Sequence, residues 1–307
     1  MILCAGEALI DMLPRKTSAG EDTFAPHVGG AVLNTAVALA RLGAPSGFFS
    51  GISTDLFGQQ IADRLEADGV DLSHAARSDR PTTLAFVTLT NGHARYAFYD
   101  ENTAGRMIST ADLPDAMDAS ACFFGGISLA VEPAADTYDA LSERLAPAMP
   151  MMLDPNIRPD FIRDRDAYMA RITRMLERCD IVKVSDEDLA WLTPGMSADD
   201  GARALLERGP SIICLTRGSE GATGFTRSGL EVSVASQKVE VIDTVGAGDT
   251  FNAGILTALH EAGALTKSAI GRVSEDTLRA ALELGAKAAA VTVSRAGANP
   301  PRRTELG

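Results

Sequence analysis

Cysteine, aromatic residues and positive charge are all in short supply in this chain of 307 residues. Aromatics make up 5% with a single tryptophan, and the four cysteines, Cys4, Cys122, Cys179 and Cys214, stand far apart beside apolar runs such as ILCAG, SACFFGG and SIICLT. No CxxC pair or Cys/His metal spacing occurs among them. That argues against a disulfide scaffold or a zinc module and leaves buried free thiols of a reducing cytosol. Lys and Arg number 28 against 41 Asp and Glu, a formal charge of −13. A nucleic-acid groove or an anchor to an acidic membrane needs clustered cations, so neither nucleic acid nor membrane is expected as a partner. No apolar run reaches the roughly 20 residues of a membrane helix. The beginning, MILCAGEALIDML, has neither a basic leader nor a small-residue cleavage pattern and reads as a first β-strand. Together these absences predict a cytoplasmic protein. The phosphate-binding patterns GxxxxGK[ST] and strand-helix GxGxxG are missing as well, so any phosphate must be held in another way.

What is present is an ordinary globular composition, 46% hydrophobic and 22% charged, long enough for one large domain over 1–307. Short apolar runs (GFFSGI, ACFFGG, MPMMLD, DIVKV, SIICLT) alternate with helix-like stretches, which predicts βαβ units around a mainly parallel sheet, an α/β fold. In DLFGQQIADRLEADG, Phe57, Ile61 and Leu65 recur every four residues, Asp55 caps the start and Gly69 closes the end. TTLAFVTLTNGHARYAFYD breaks the alternation as two period-2 strands joined by Asn91-Gly92, a strong hairpin signal. A hairpin is marginal alone, so it should pair with the polar insert near residues 14–28. The result would be a small sheet, from segments about 12–28 and 82–104, projecting as a lid or a dimer surface.

Two stretches carry chemistry. In DTVGAGDTF, Gly246, Ala247 and Gly248 directly precede a helix-like pattern. Glycine admits positive φ and covers no peptide, so N–H groups there can converge at a helix N-terminus, where anions bind, with the Asp249 carboxylate at the join. A plain glycine turn with Asp249 as N-cap accounts for this stretch equally well. In VGGAVLNTAVALARLG, paired glycines precede a helix whose Leu33, Val37, Ala40 and Leu42 would pack inward, with Asn34 in its first turns. A loop with Asn34 as a capping residue is the alternative.

Both stretches, with GEALID, DPNIR and TRGSEGA in this order, make the whole chain resemble the ribokinase family of carbohydrate kinases, also called the phosphofructokinase B type. The resemblance implies a ribokinase-like three-layer fold, a mostly parallel central sheet with a small β-sheet lid. It implies Asp249 as the base that takes a proton from a sugar hydroxyl attacking ATP, and the N–H groups of Gly246, Ala247 and Gly248 as the anion hole. Phosphoryl transfer asks mainly for such positioning and charge stabilisation. It places Asp11, Gly30, Asn34, Tyr99, Asn156 and Arg158 at the sugar, and Thr216, Gly218, Gly221 and Asn299 with the glycines at the nucleotide. Asp243 and Val245 fall where many members hold a monovalent cation such as K⁺. One departure concerns Mg²⁺: members commonly have Asn-x-x-Glu after the strand that here ends in Lys183, whereas KVSDEDL offers Ser185 and leaves the role to Glu187 or Asp188. FYDENTAG resembles the lid stretch of bacterial fructokinases, and Arg95 should point away from the face shared by Tyr96, Phe98 and Asp100, where Asp100 would repel a sugar acid. The expected reaction is fructose to fructose 6-phosphate at the expense of ATP, in a homodimer packed through the small sheets. A kinase for 2-keto-3-deoxygluconate or another sugar, or a silent sugar or nucleotide sensor, are the alternatives.

Overall fold

A computed structural model describes residues 1–90 and 93–307, with side chains described except for 89–96. The chain begins with β1 (Ile2–Ala5), β2 (Leu9–Lys16), β3 (Asp22–Gly29), α1 (Ala31–Leu42), β4 (Ser46–Phe49), β5 (Gly51–Ser53) and α2 (Leu56–Ala67). It continues through β6 (Ala76–Ser78), β7 (Leu84–Thr90), β8 (His93–Tyr99), β9 (Ala121–Gly125), α3 (Ala134–Leu145), β10 (Met151–Asp154), α4 (Arg165–Arg178) and β11 (Ile181–Ser185). The last part is α5 (Asp186–Leu192), α6 (Ala198–Leu206), β12 (Ile212–Thr216), β13 (Ala222–Thr226), β14 (Glu231–Val234), α7 (Ala247–Glu261) and α8 (Glu275–Val293).

Eight strands form the main sheet in the order β14-β13-β12-β11-β10-β9-β1-β4. Pairing is parallel from β4 through β12 and antiparallel only at β13 and β14. β1 illustrates why its strands are apolar throughout: Ile2 and Cys4 enter the core under α1, α7 and α8, while Leu3 and Ala5 enter the core under α3, α4 and α6. Both faces are covered, giving the three layers expected. All four cysteines are free and buried. The helix of residues 56–67 follows its sequence signals: the Asp55 carboxylate accepts from the Gly58 N–H at 2.8 Å, and Gly69, at φ 83°, turns the chain out.

Two expectations need correction. The opening run is not one strand: β1 lies in the main sheet, and after Gly6–Ala8 the chain crosses into β2 of a second sheet. Gly6 permits the crossing, since a Cβ there would sit 2.5 Å from Val32 and 2.9 Å from Ser128. Nor does a helix follow SIICLT; β12 is succeeded by antiparallel β13 and β14, which close the edge.

The second sheet has the order β3-β2-β7-β8; the insert near 14–28 shares this sheet with the 82–100 hairpin, but the strand pairing to β7 is made by residues 10–12, just before the insert, which itself pairs within β2 and β3. The Asn91-Gly92 turn and the side chains of Arg95 and Tyr96 lie outside the described residues. β2 runs directly from the carboxyl end of β1, so the small sheet stands over the edge at which ligands enter such folds.

Candidate active site

The carboxyl ends of β1 and β10 and the N-termini of α1 and α7 surround a cavity of about 460 Å³, lined among others by Glu7, Asp11, Asn34, Phe98, Arg158 and Asp249. The loop before α7 supplies its floor. Gly246 is the helix N-cap at φ 79°, and a Cβ there would meet that of Ala298 at 2.8 Å. Only glycine fits both constraints. Gly246, Ala247 and Gly248 all line the cavity. Ala247 bends its N–H back to the Thr244 carbonyl at 3.3 Å, whereas Gly246 and Gly248 have no backbone acceptor among the described residues. A helix of 15 residues begins at this point, so its positive end faces the cavity.

Asp249 is not the N-cap but sits in the first turn, buried, with its backbone carbonyl bonded by the Thr35 hydroxyl at 3.3 Å. Its Oδ2 accepts from Asn34 Nδ2 at 2.9 Å, a bond across 215 residues of sequence. Burial pushes its carboxyl up to about 7; the Asn34 bond opposes this, nearby Asp154 adds to it, and Lys183 opposes it. A carboxylate so poised is half ionised near neutrality and fits a general base.

α1 is set by the residues before it. Gly30, at φ 111°, has room for no Cβ, which would fall 2.9 Å from the Glu7 carbonyl. Glu7 accepts the Ala31 N–H at 3.0 Å and the Ser128 N–H at 3.3 Å, so one carboxylate ties the start of α1 to the loop after β9. Gly126 leaves the slot in which that carboxylate lies, for a Cβ there would meet Oε1 at 2.1 Å. Asp11 faces the same cavity from β2, packed on Gly29, and burial raises its carboxyl to about 6.

Beneath the floor lies a layer that sequence reading missed. Asp154, the last residue of β10, accepts from Lys183 Nζ at 3.1 Å and Asn252 Nδ2 at 2.7 Å. Burial works to lower the Lys183 pKa, but Asp154, Asp188 and Asp249 together raise it, so the ammonium stays charged. A Cβ on Gly248 would stand 3.1 Å from that Nζ, which places a buried cation directly behind the glycine loop. The available signal was a lysine inside the apolar strand DIVKV, which runs on to Ser185 rather than ending at Lys183.

Asn156 and Arg158 line the cavity. Asn156 holds φ 43°, a left-handed conformation stabilised as its N–H turns to Asp154 Oδ1 at 3.1 Å. Arg158 Nη1 bonds the carbonyls of Asn156 and Ile157 at 3.3 and 3.0 Å. Val245 lines the cavity too, while both Asp243 oxygens are engaged, by the Val245 N–H at 3.0 Å and the Gly297 N–H at 2.8 Å. A cation at this loop would therefore meet backbone carbonyls rather than that carboxylate.

Other predicted residues fall elsewhere. Tyr99 does not line the cavity: strand alternation turns it outward, 63% exposed, against Phe86 at 5.4 Å, and Phe98 faces the cavity instead. Asp100 is not offered to a ligand but is buried and paired with Arg106 at 3.2 Å. Asp188 caps α5, accepting from the Ser185 N–H and hydroxyl on one oxygen and from the Ile157 N–H at 2.9 Å on the other; Glu187 is exposed and lines no part of the cavity. Among the described residues no three His, Cys, Asp or Glu side chains group to hold a metal ion. Thr216, Gly218 and Gly221 lie at the end of β12, outside the cavity wall, with the Thr216 hydroxyl on the Val184 carbonyl. Asn299 is held by Arg41 at 2.8 Å, likewise outside it.

Known proteins resemble this one over nearly the whole chain. The profile described as pfkB family carbohydrate kinase matches residues 1–305. A fructokinase of Rhizobium leguminosarum bv. trifolii is 53% identical over 282 residues, 91% of this chain and 86% of that protein. The crystal structure of a fructokinase with bound ATP from Xylella fastidiosa superposes with a TM-score of 0.90 at 28% identity, over 99% of this chain and 97% of the other. A fructokinase from Vibrio cholerae O395, in fructose, ADP and calcium ion bound form, superposes with a TM-score of 0.85 at 25% identity, over 99% and 97% of the two chains.

Proposed function

The chain belongs to the pfkB family of carbohydrate kinases, and from that premise we propose that it phosphorylates fructose with ATP, giving fructose 6-phosphate and ADP. The observation that carries the reading is the juxtaposition of a buried Asp249, oriented by Asn34 at 2.9 Å, with the glycine loop at the N-terminus of α7. The relatives named as fructokinases supply the sugar.

The attacking hydroxyl of fructose gives its proton to Asp249 as its oxygen bonds the γ-phosphorus. The bond to the β-phosphate oxygen breaks, and ADP departs with that electron pair. Charge on the transferring group is met by the Gly246 and Gly248 N–H groups, the α7 dipole and the Lys183 ammonium behind them. Asp11 and Asn34 hold other sugar hydroxyls, and Arg158 stands at the phosphate path. Mg²⁺ bound with the triphosphate would neutralise part of its charge; both Asp188 oxygens are engaged by Ser185 and the Ile157 N–H. Backbone carbonyls of the loop of residues 243–247 would hold K⁺ there, since both Asp243 oxygens are engaged. Thr216, Gly218, Gly221 and Asn299 approach ATP beyond the cavity, which requires Asn299 to exchange its Arg41 bond for one to the nucleotide. The small sheet serves as the lid, in a cytoplasmic homodimer.

ADP release with ATP, Mg²⁺ and a panel of sugars tests the reading. Fructose should give the highest kcat/KM; no turnover with any sugar would leave a silent sensor, and a preference for 2-keto-3-deoxygluconate would replace the substrate.

A further inference from the structure

A segment near the end of the chain braces the glycine loop. A Cβ added to Gly246 would meet the Ala298 side chain at 2.8 Å, so Ala298 packs directly against the N-cap of α7. The residue before it adds a second tie, because the Gly297 N–H bonds Asp243 Oδ2 at 2.8 Å. Neither Gly297 nor Ala298 lines the cavity, so the two support the loop without facing a ligand there.

The segment is held in turn by Arg41, in the last turn of α1. Its Nη1 donates to Asn299 Oδ1 at 2.8 Å and to the Pro300 carbonyl at 2.9 Å. Its other edge, Nε and Nη2, grips the two oxygens of the buried Asp68 at 2.7 and 3.1 Å. Asp68 also accepts from Arg64 at 2.8 Å and from Arg302, just past the segment, at 3.4 Å. A guanidinium gripped by both oxygens of a carboxylate is fixed in plane, so its remaining N–H groups point in set directions. The two bonds to the segment are not equivalent. Asn299 is exposed, and its side chain can turn toward a nucleotide, whereas buried Pro300 offers a backbone carbonyl that stays with the chain. Arg41 therefore keeps its hold when Asn299 changes partner.

Resting on the kinase reading, we propose that Arg41 is a positioning residue for the phosphates of ATP: anchored on Asp68, it sets residues 297–300 against the glycine loop and so fixes the direction of the Gly246 and Gly248 N–H groups. It touches neither substrate. Its effect passes through the contact of Ala298 with Gly246 and is felt by the nucleotide rather than the sugar. Asn34, two turns nearer the start of α1, is bonded to Asp249, so a general disturbance of that helix would show at the sugar as well.

The test measures KM for ATP and KM for fructose with Mg²⁺ in the intact protein and in Arg41→Met, Arg41→Lys, Ala298→Gly and the double variant Arg41→Met with Ala298→Gly. Met keeps most of the stem and Lys keeps the charge, but both lack the planar fork that joins Asp68 to Pro300. KM for ATP should rise about threefold to tenfold in each single variant, while KM for fructose stays within about twofold of wild type. In the double variant KM for ATP should stay within about twofold of the worse single one, because both changes break the same path. Neither constant depends on how much of a sample is folded, so lost stability cannot mimic the split. If Arg41→Met does not fold, Arg41→Lys and Ala298→Gly carry the same prediction. A KM for ATP unchanged in the Arg41 variants, equal rises in both KM values, or effects that simply multiply in the double variant would overturn the assignment. A wild-type protein that makes no fructose phosphate would instead overturn the reading on which it rests.

Discussion

Replacing Asp249 by Asn keeps the size of the side chain while removing the charge that the site is built around. In the native site Oδ2 accepts from Asn34 Nδ2 at 2.9 Å. The variant can retain that bond only by turning its amide oxygen to Asn34, and its NH₂ then faces the cavity. A donor would stand where an acceptor for the sugar proton is needed. General base catalysis contributes roughly 10²- to 10⁴-fold, or about 2.7 to 5.5 kcal/mol of barrier, and kcat should fall by at least the smaller figure. ATP affinity should change little. Stability should move the other way. The Asp249 pKa is raised by burial from 3.8 to about 7, so the native state binds its proton more tightly than the unfolded chain. Its stabilising effect is fully present below pH 4 and lost as pH rises through 7, a cost of roughly 4 kcal/mol at about 1.4 per unit. Asn carries no such cost, so the variant should melt no lower than wild type at pH 8 while the two converge in acid. Coupled ADP release and thermal melts at both pH values read this out. Retention of more than about a tenth of wild-type kcat, or a variant less stable at pH 8, would refute the reasoning.

Because only ionised Asp249 accepts a proton, kcat should climb between pH 6 and 8 with a midpoint near 7; a flat profile across that range would contradict its role. Asp11, raised to about 6 by burial, is the stronger acceptor of hydroxyl hydrogen bonds when ionised, so KM for fructose should fall as pH rises through about 6. In Gly246→Ala a Cβ would have to fit 2.8 Å from Ala298 Cβ at φ 79°; a loss of about 1 to 3 kcal/mol in denaturant melts is expected together with weakened activity, and full stability would show the loop free to move. Exposed Phe24 and Tyr99 flank half-buried Phe86 in an aromatic row on the small sheet, with ring centroids 5.0 and 5.4 Å apart; Tyr99→Glu should shift the mass by light scattering from two chains to one at micromolar concentration, whereas a wild-type monomer would rule out the dimer.

How far the sequence carried the reading depended on whether a signal was local. Asp55 and Gly69 mark the ends of α2 because capping is settled within a turn, and the glycines before α1 and α7 announce backbone that no other residue adopts. Tyr99 and Phe98 show the limit of periodicity: alternation puts them on opposite faces, but which face meets the cavity depends on how β2 and β7 pair, a long-range fact. Asp188 shows another. An acid next to a strand end suits a metal or a capping box equally; its capping bonds to Ser185 are local, but its other oxygen is taken by the Ile157 N–H, 31 residues away, which no spacing reports. The Lys183–Asp154–Asn252 group and the Glu7 clamp join elements distant in the chain, and no spacing rule reports them.

The most direct test of the account follows the phosphorus itself. Protein, ATP, Mg²⁺ and equal concentrations of fructose and 2-keto-3-deoxygluconate are combined, and the products are resolved by phosphorus NMR and mass. The account predicts fructose 6-phosphate in at least about tenfold excess, the equivalent of about 1.4 kcal/mol in transition-state binding. Phosphate appearing chiefly on the sugar acid, or only as inorganic phosphate, would contradict it.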